Sequence, residues 1–201
     1  KVEVVSSDGQ QQLLESEHIL VATGCKTREF PDLPFNGLSV VGSSEAMVME
    51  NQPKDIIIIG AGAIGVEFAY FFNAFGTKVT IVEMMPNILP VEDHEVSVEL
   101  EKSFKKSGIE ILSSTKVVGT KDLGNGVEIT IEEEGSDPRT LSSEVALIAI
   151  GVAPVLPADF EIDLDRGYIV TDDNYQTSAP GVYAVGDIIG PPWLAHVASF
   201  E

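Results

Sequence analysis

The chain has 201 residues, of which 44% are hydrophobic and 22% are charged, and a formal net charge of −20. This composition predicts a globular protein with a buried core, built as one large domain or two small ones. The charge argues against partners such as nucleic acid or an anionic membrane surface, and no apolar run approaches the roughly 20 residues that span a bilayer.

The first residues predict a β-hairpin that leads into an apolar strand. Asp8-Gly9 is a hairpin turn signal between a weakly alternating run, Lys1 to Val5, and a strand predicted from Leu13 to Thr23 that ends at Gly24. Irregular, proline-punctuated sequence follows over residues 31–55, which we interpret as a connection into a second domain.

Residues 56–83 carry the most informative pattern in the chain. It contains a β-branched run, a glycine-rich turn, a helical segment and a second strand. These are Ile56 to Ile59, Gly60-Ala61-Gly62-Ala63-Ile64-Gly65, Val66 to Phe75 closed by Gly76, and Lys78 to Val82. Gly60 permits the tight turn, Gly62 lets the backbone approach a pyrophosphate, and Gly65 lets the helix pack closely on the sheet. The N–H groups and dipole at the helix start attract phosphate, so the pattern predicts a dinucleotide site.

An acidic residue completes the pattern and indicates which dinucleotide is bound. Glu83 lies 23 residues after Gly60, at the end of the second strand. A carboxylate there accepts hydrogen bonds from the adenosine ribose hydroxyls and repels a 2′-phosphate. Because the following residues, Met84 to Asn87, contain no arginine, we predict NAD(H) as the cofactor. The alternative, a glycine turn that binds nothing, is disfavoured by the agreement of strand, helix, strand and carboxylate.

The next segment continues the alternation of helix and strand. Asp93 is the predicted N-cap of a helix from His94 to Ser107, with Val96, Leu100 and Phe104 as its buried stripe. One parallel strand, three antiparallel strands and a return strand are predicted after it. They are Ile109 to Leu112, Lys116 to Lys121, Gly126 to Glu133, Arg139 to Ser143, and Val145 to Ile150 before Gly151. This order predicts an α/β, Rossmann-like (doubly wound) domain with a three-stranded β-meander.

Two strand endings match each other, at residues 17–24 and 144–151. They predict two copies of one domain type. Only the second copy has its glycine-rich start in this sequence, so we expect the chain to begin inside a domain. Further on, a strand from Val182 to Val185 ends in Gly186-Asp187, and Asp187 is a candidate ligand for a cofactor hydroxyl. We predict that this strand pairs in parallel with Ile19 to Ala22, joined by the long crossover between them.

Cysteine and histidine give no sign of a metal site or of a redox centre. With Cys25 as the one cysteine, the chain cannot form an internal disulfide, and this fits a reducing, cytoplasmic compartment. We interpret Cys25 as a turn residue rather than a nucleophile. His18 and His94 are predicted to lie at the surface, and no second ligand stands at a metal-binding spacing.

Together these motifs resemble the flavin-dependent disulfide reductases with two dinucleotide folds, and most closely the lipoamide dehydrogenase branch. The resemblance covers essentially the whole chain. The quoted segments are Ala22-Thr23-Gly24, Gly60 to Glu83, Ala149 to Gly151, Gly186-Asp187 and Leu194-Ala195-His196-Val197-Ala198. It implies an NAD-binding domain over 56–152, inserted between FAD-domain segments at 1–30 and 153–201, with 31–55 as the connection.

The resemblance also implies roles for individual residues. FAD would be bound by Thr23, Gly24, Gly186, Asp187, Leu194, Ala195 and His196, and NAD by Gly60 to Gly65, Glu67, Glu83, Val117 and Gly151. Glu67 is placed in the first turn of the phosphate-binding helix, with a solvated helix carboxylate as the alternative. A plain β-core position is the alternative for Val117. Val152 and Val155 depart from the arginine and asparagine usual in relatives.

Several parts of the family pattern have no counterpart in this sequence. These are the FAD glycine motif, the paired redox cysteines and the acid–base histidine, so no catalytic residue is predicted and the chain alone is expected to be inactive. The complete enzyme would oxidise dihydrolipoamide through a disulfide and FAD to reduce NAD⁺, as a homodimer within 2-oxo acid dehydrogenase complexes. Another flavin disulfide reductase and a non-catalytic NAD(H)-binding module remain open.

Overall fold

The computed structural model describes residues 1–30 and 33–201. The predicted start of the connection at residue 31 therefore lies outside the described residues. The chain divides into two compact units. We call residues 27–152 the central unit, and residues 1–26 with 153–201 the flanking unit, and describe each by itself.

The described residues form short strands and four α-helices. In chain order the strands are β1 (Val2–Val5), β2 (Gln11–Leu14), β3 (Ile19–Val21), β4 (Cys25–Thr27), β5 (Val40–Val41), β6 (Asp55–Ile59), β7 (Lys78–Val82), β8 (Glu110–Leu112), β9 (Thr115–Asp122), β10 (Val127–Glu133), β11 (Arg139–Ser143), β12 (Val145–Ile148), β13 (Val152–Pro154), β14 (Leu164–Asp165), β15 (Tyr168–Ile169) and β16 (Val182–Ala184). The helices are α1 (Ser43–Met47), α2 (Ala63–Ala74), α3 (His94–Lys106) and α4 (Ala195–Phe200), with a 3₁₀ turn at Gly186–Ile189.

The central unit is built on a parallel sheet whose described strands run in the order β5-β12-β6-β7-β8. Side chains of β6 alternate between two cores, as period-two geometry requires. Ile56 and Ile58 join a cluster with residues of α2 and α3, whereas Ile57 and Ile59 join a cluster with the meander β9-β10-β11. The sheet is thus buried on both faces, which confirms the predicted α/β class and the three-stranded meander.

Helix α2 begins earlier than the sequence predicted. We expected its start at Val66, but Gly62 is the N-cap and the amide of Val66 already donates to the Gly62 carbonyl oxygen over 3.0 Å. Glycine at the N-cap lets the chain enter the helix directly from the turn. Glu67 therefore lies in the second turn of α2 and not in the first. The predicted end is confirmed, since Gly76 follows with φ of 90°.

Helix α3 is capped as predicted, but its buried stripe differs. The Asp93 carboxylate accepts a hydrogen bond from the amide of Glu95 over 2.8 Å. Val96 was predicted to be buried and is 56% exposed, while Ser97 is 2% exposed and Phe104 is 4% exposed. Ser97 takes the buried position instead, and its hydroxyl lies 3.2 Å from the carbonyl oxygens of both Leu89 and Asp93.

The carboxylate of Asp122 connects the meander to the segment before β5. It accepts hydrogen bonds from the Gly124 amide over 2.8 Å, the Asn36 side-chain amide over 2.6 Å and the Ser39 hydroxyl over 2.9 Å. These bonds favour the ionised form and lower the pKa of Asp122 below its usual 3.8, the Gly124 amide having the largest effect.

This network predicts how stability depends on pH. Because the pKa of Asp122 is lower in the folded chain than in the unfolded chain, its ionised form stabilises the fold above pH 3.8, and this contribution is lost as the pH falls below that value. We expect Asp122→Asn to lower the free energy of unfolding at pH 7 and to have a smaller effect at about pH 3. Urea unfolding at both pH values measures this, and an equal effect at both would contradict it.

The flanking unit contains the hairpin β1-β2, the antiparallel pair β14-β15 and the parallel pair β3-β16. The predicted strand from Leu13 to Thr23 is wrong as one element. It divides into β2 and β3 because Ser16 turns the chain, its hydroxyl donating to the carbonyl oxygen of His18 over 2.7 Å. Strand β3 pairs in parallel with β16, with Ile19 opposite Val182, so the predicted parallel pairing is confirmed. Across the described residues, no helix combines the length and the apolar character needed to cross a membrane.

Candidate functional site

Adjacent strands of the central unit end side by side at one edge of the sheet. The amide of Ala149, after β12, donates to the Ile59 carbonyl oxygen over 2.8 Å, and the amide of Gly60, after β6, donates to the Val82 carbonyl oxygen over 2.9 Å. In the sheet, β7 and β8 lie on one side of β6, and β12 lies on its other side, so the strand order reverses at β6. Such a switch point at the carboxyl ends of parallel strands is where doubly wound sheets bind ligands.

The three glycines of the turn have different steric surroundings. A Cβ atom on Gly60, where φ is 101°, would lie 2.4 Å from the Ala149 carbonyl oxygen, and one on Gly65 would lie 2.0 Å from the Gly60 carbonyl oxygen. A Cβ atom on Gly62 would have no neighbour within 4 Å. Two glycines are therefore required for close packing, whereas Gly62 faces open space.

The start of α2 presents unused hydrogen-bond donors beside that space. The first intrahelical bond is made by the amide of Val66, so the amides of Ala63, Ile64 and Gly65 have no partner within the helix. Gly62 has no side chain to cap them, and the first turn of α2 carries no acidic residue. The geometry suits an anion.

Glu83 lies directly under the turn. The residue is 7% exposed, and its two carboxylate oxygens accept hydrogen bonds from the amides of Ala61 over 2.6 Å and Met85 over 2.7 Å. A carboxylate has about four acceptor positions, so acceptor capacity remains for further donors. The structure thus brings together the predicted residues Gly60 to Gly65 and Glu83.

The other predicted NAD residues have more varied positions. Gly151 follows β12 at the same edge of the sheet, with φ of 103°. Glu67 is exposed on α2, as expected of either interpretation. Val117 on β9 is partly buried against the core cluster that contains Ile57 and Ile59, as either interpretation expects.

Arg28 contacts the Gly151 turn and was missed by the sequence reasoning. Its amide donates to the carbonyl oxygen of Gly151 over 3.0 Å, and its Nε donates to the carbonyl oxygen of Val152 over 2.7 Å. More than a hundred residues separate the partners in the sequence, and no local pattern indicates the contact.

A cleft of about 410 Å³ lies in the flanking unit. Gly24, Gly186, Asp187 and Ala195, four predicted FAD residues, line it. Gly186 has φ of 77°, and its amide donates to the carboxylate of Glu201 over 2.6 Å.

The remaining predicted FAD residues do not line this cleft. The hydroxyl of Thr23 donates to the Val155 carbonyl oxygen over 2.6 Å, Leu194 is the N-cap of α4, and His196 is exposed on that helix. Within the part of the chain that the structure describes, no group of three or more histidine, cysteine or acidic residues is arranged to hold a metal ion.

Known proteins resemble this chain over its whole length. A family model described as pyridine nucleotide-disulphide oxidoreductase matches residues 1–201. A dihydrolipoyl dehydrogenase of Chlorobaculum tepidum is 41% identical over 204 residues, covering 100% of this chain and 44% of the relative. The chain therefore spans less than half the length of this curated relative.

Solved structures show the same fold at lower identity. The crystal structure of LpdA from Mycobacterium tuberculosis matches with a TM-score of 0.88 and 30% identity, covering 98% of this chain and 43% of that one. A Cu(II) complex of a variant of the HOCl-induced flavoprotein disulfide reductase RclA from Escherichia coli matches with a TM-score of 0.86 and 28% identity, covering 98% and 45%. On its motifs, its fold and these matches, the chain belongs to the pyridine nucleotide-disulphide oxidoreductase family.

Proposed function

We propose that the central unit binds NAD(H) at the carboxyl edge of its parallel sheet. The observation that carries this proposal is the open space at Gly62 beside the uncapped start of α2, while Gly60 and Gly65 are both sterically required. The pyrophosphate lies against this helix start, and Glu83 accepts hydrogen bonds from the adenosine ribose. In this proposal Gly151 approaches the dinucleotide, Glu67 is on the nicotinamide side and Val117 is beside the adenine, as the family resemblance implies.

The geometry of Glu83 supports NAD(H) over NADP(H). Each carboxylate oxygen already accepts one backbone N–H, so each retains acceptor capacity for one ribose hydroxyl. A 2′-phosphate at the same position would meet this negative charge, and Met84 to Asn87 offer no cation to offset it.

We further propose that the flanking unit contributes part of an FAD site. Gly24, Gly186 and Asp187 line its cleft. The two glycines have no side chains to hinder the close approach of a ligand, and a carboxylate such as that of Asp187 can accept a hydrogen bond from a ribitol hydroxyl. Thr23, Leu194, Ala195 and His196 complete this proposed set. The E. coli match to a flavoprotein is consistent with it.

For the whole protein we propose the activity of dihydrolipoyl dehydrogenase, in which dihydrolipoamide and NAD⁺ give lipoamide, NADH and a proton. FAD, when bound, supplies the redox step between dithiol and nicotinamide, and the residues of this chain hold and orient the nucleotides. A cytoplasmic homodimer serving 2-oxo acid dehydrogenase complexes is part of this proposal. The similarity to RclA favours, as a second candidate, a different flavin-dependent disulfide reductase.

The 201-residue chain by itself is expected to be colourless and to show no oxidation of dihydrolipoamide. It contains a single cysteine, which cannot cycle as an intrachain dithiol, and a single GxGxxG motif, which the proposal assigns to NAD. The absorbance of the purified chain near the flavin bands, and a lipoamide assay with added FAD, measure this. A yellow protein with stoichiometric flavin would overturn the expectation.

A further inference from the structure

The residue between the first two glycines of the turn is held at both of its peptide groups. The amide of Ala61 donates to Glu83, and the carbonyl oxygen of Ala61 accepts a hydrogen bond from the amide of Leu89 over 2.7 Å. The side chain of Ala61 is 0% exposed. Both peptide planes that flank Ala61 therefore have a set orientation.

The bond to Leu89 has a consequence for Gly62. In a trans peptide the C=O and the N–H point in opposite directions. Since the Ala61 carbonyl points toward Leu89, the amide of Gly62 in the same peptide points away from Leu89. The direction of a donor at the start of the proposed phosphate site is thus set by a residue in the loop after β7.

That loop is itself anchored in the core. Ile88 is 0% exposed and belongs to the cluster that also contains Ile58, Ala61 and Val66. Leu89 has φ of 47°, a left-handed backbone conformation that residues other than glycine rarely adopt. Its carbonyl oxygen accepts from the amide of Glu92 and the hydroxyl of Ser97, so the conformation is held on both sides.

We propose that Ile88 and Leu89 are positioning residues for the nucleotide phosphate site, acting through the peptide groups of Ala61. Burial of Ile88 places the Leu89 amide, and the Leu89 amide orients the glycine turn. This inference rests on the proposed binding of NAD(H), which it deepens by identifying what holds the turn in place before the nucleotide binds.

The test compares two matched truncations in one core cluster, Ile88→Ala and Ile109→Ala. Both side chains are buried in that cluster, but the Ile109 amide donates to Phe104 and not to the turn. Both variants should unfold at lower urea concentration. Ile88→Ala should also weaken NADH binding by about tenfold relative to the unmodified chain, whereas Ile109→Ala should not. Tenfold is the factor that corresponds to the net free energy of one hydrogen bond.

A second readout needs no nucleotide. Hydrogen exchange of the Ala61 amide should accelerate in Ile88→Ala and not in Ile109→Ala, at a temperature where both are folded. If Ile88→Ala does not fold, the pair Ile88→Val and Ile109→Val replaces it, with the same direction expected. Equal Ala61 exchange in the matched pair, or NADH affinities within about twofold of each other, would overturn the inference. If the unmodified chain binds no NADH, the proposed function is wrong, and the exchange comparison still decides whether Ile88 holds the turn.

Discussion

Gly65→Ala is expected to lower the free energy of unfolding by about 3 kcal/mol, the upper end of the range for overpacked cores. The new Cβ atom would lie 2.0 Å from the carbonyl oxygen of Gly60. That oxygen is backbone, so no side-chain rotation relieves the clash, and α2 must move away from β6. Urea unfolding measures the loss.

Gly62→Ala is the matched substitution, because the same methyl group enters open space. Its φ of −69° suits any residue, so we expect the free energy of unfolding to change by less than about 1 kcal/mol. NADH binding should weaken by about tenfold or more, since the methyl group occupies the approach of the pyrophosphate. Unaltered NADH affinity in this variant would contradict the assignment of the open space to a phosphate.

Glu83→Ala is expected to weaken NADH binding by about 1–3 kcal/mol, the effect of losing a charged acceptor. The substitution also leaves the amides of Ala61 and Met85 without their acceptor. Glu83→Gln should weaken binding too. Its single side-chain oxygen can accept from only one of the amides of Ala61 and Met85, and its side-chain nitrogen would face the N–H of the other.

The ratio of affinities separates the two roles of Glu83. Loss of the ribose contact and of the repulsion should bring the affinities for NADH and NADPH closer together in Glu83→Ala. Glu99→Ala on α3, where the carboxylate is exposed and pairs with Lys102 over 3.4 Å, is the control that changes the same charge. Calorimetric titrations of the unmodified chain, Glu83→Ala and Glu99→Ala with NADH and with NADPH measure this. If the ratio of the two affinities in Glu83→Ala equals that of the unmodified chain, the ribose contact is contradicted.

The sequence predicted elements wherever the evidence was local. The β-branched run, the glycines and the periodic segment around α2 each act over a few residues, so β6, β7 and the end of α2 at Gly76 could be located. The residues of the candidate site could be located for the same reason, since Gly60 to Gly65 and Glu83 belong to one continuous strand–turn–helix–strand pattern.

What the sequence could not predict depends on partners distant in the chain. Ile88 lies in a loop without periodicity, and it is buried by packing in a cluster with residues of β6 and α2. On α3 it is Ser97 and not Val96 that is buried, and one of the two carbonyl oxygens near its hydroxyl belongs to Leu89, outside the helix. Arg28 donates a hydrogen bond to Gly151, which is more than a hundred residues away in the sequence, so no short-range pattern predicts the contact.

Calorimetric titration of the 201-residue chain with NADH and then with NADPH decides whether the central unit is an NAD(H) site. We expect saturable binding of one NADH per chain, with NADPH weaker by about tenfold or more, because Glu83 disfavours the 2′-phosphate. Absence of NADH binding, or NADPH binding of equal or greater affinity, would contradict it.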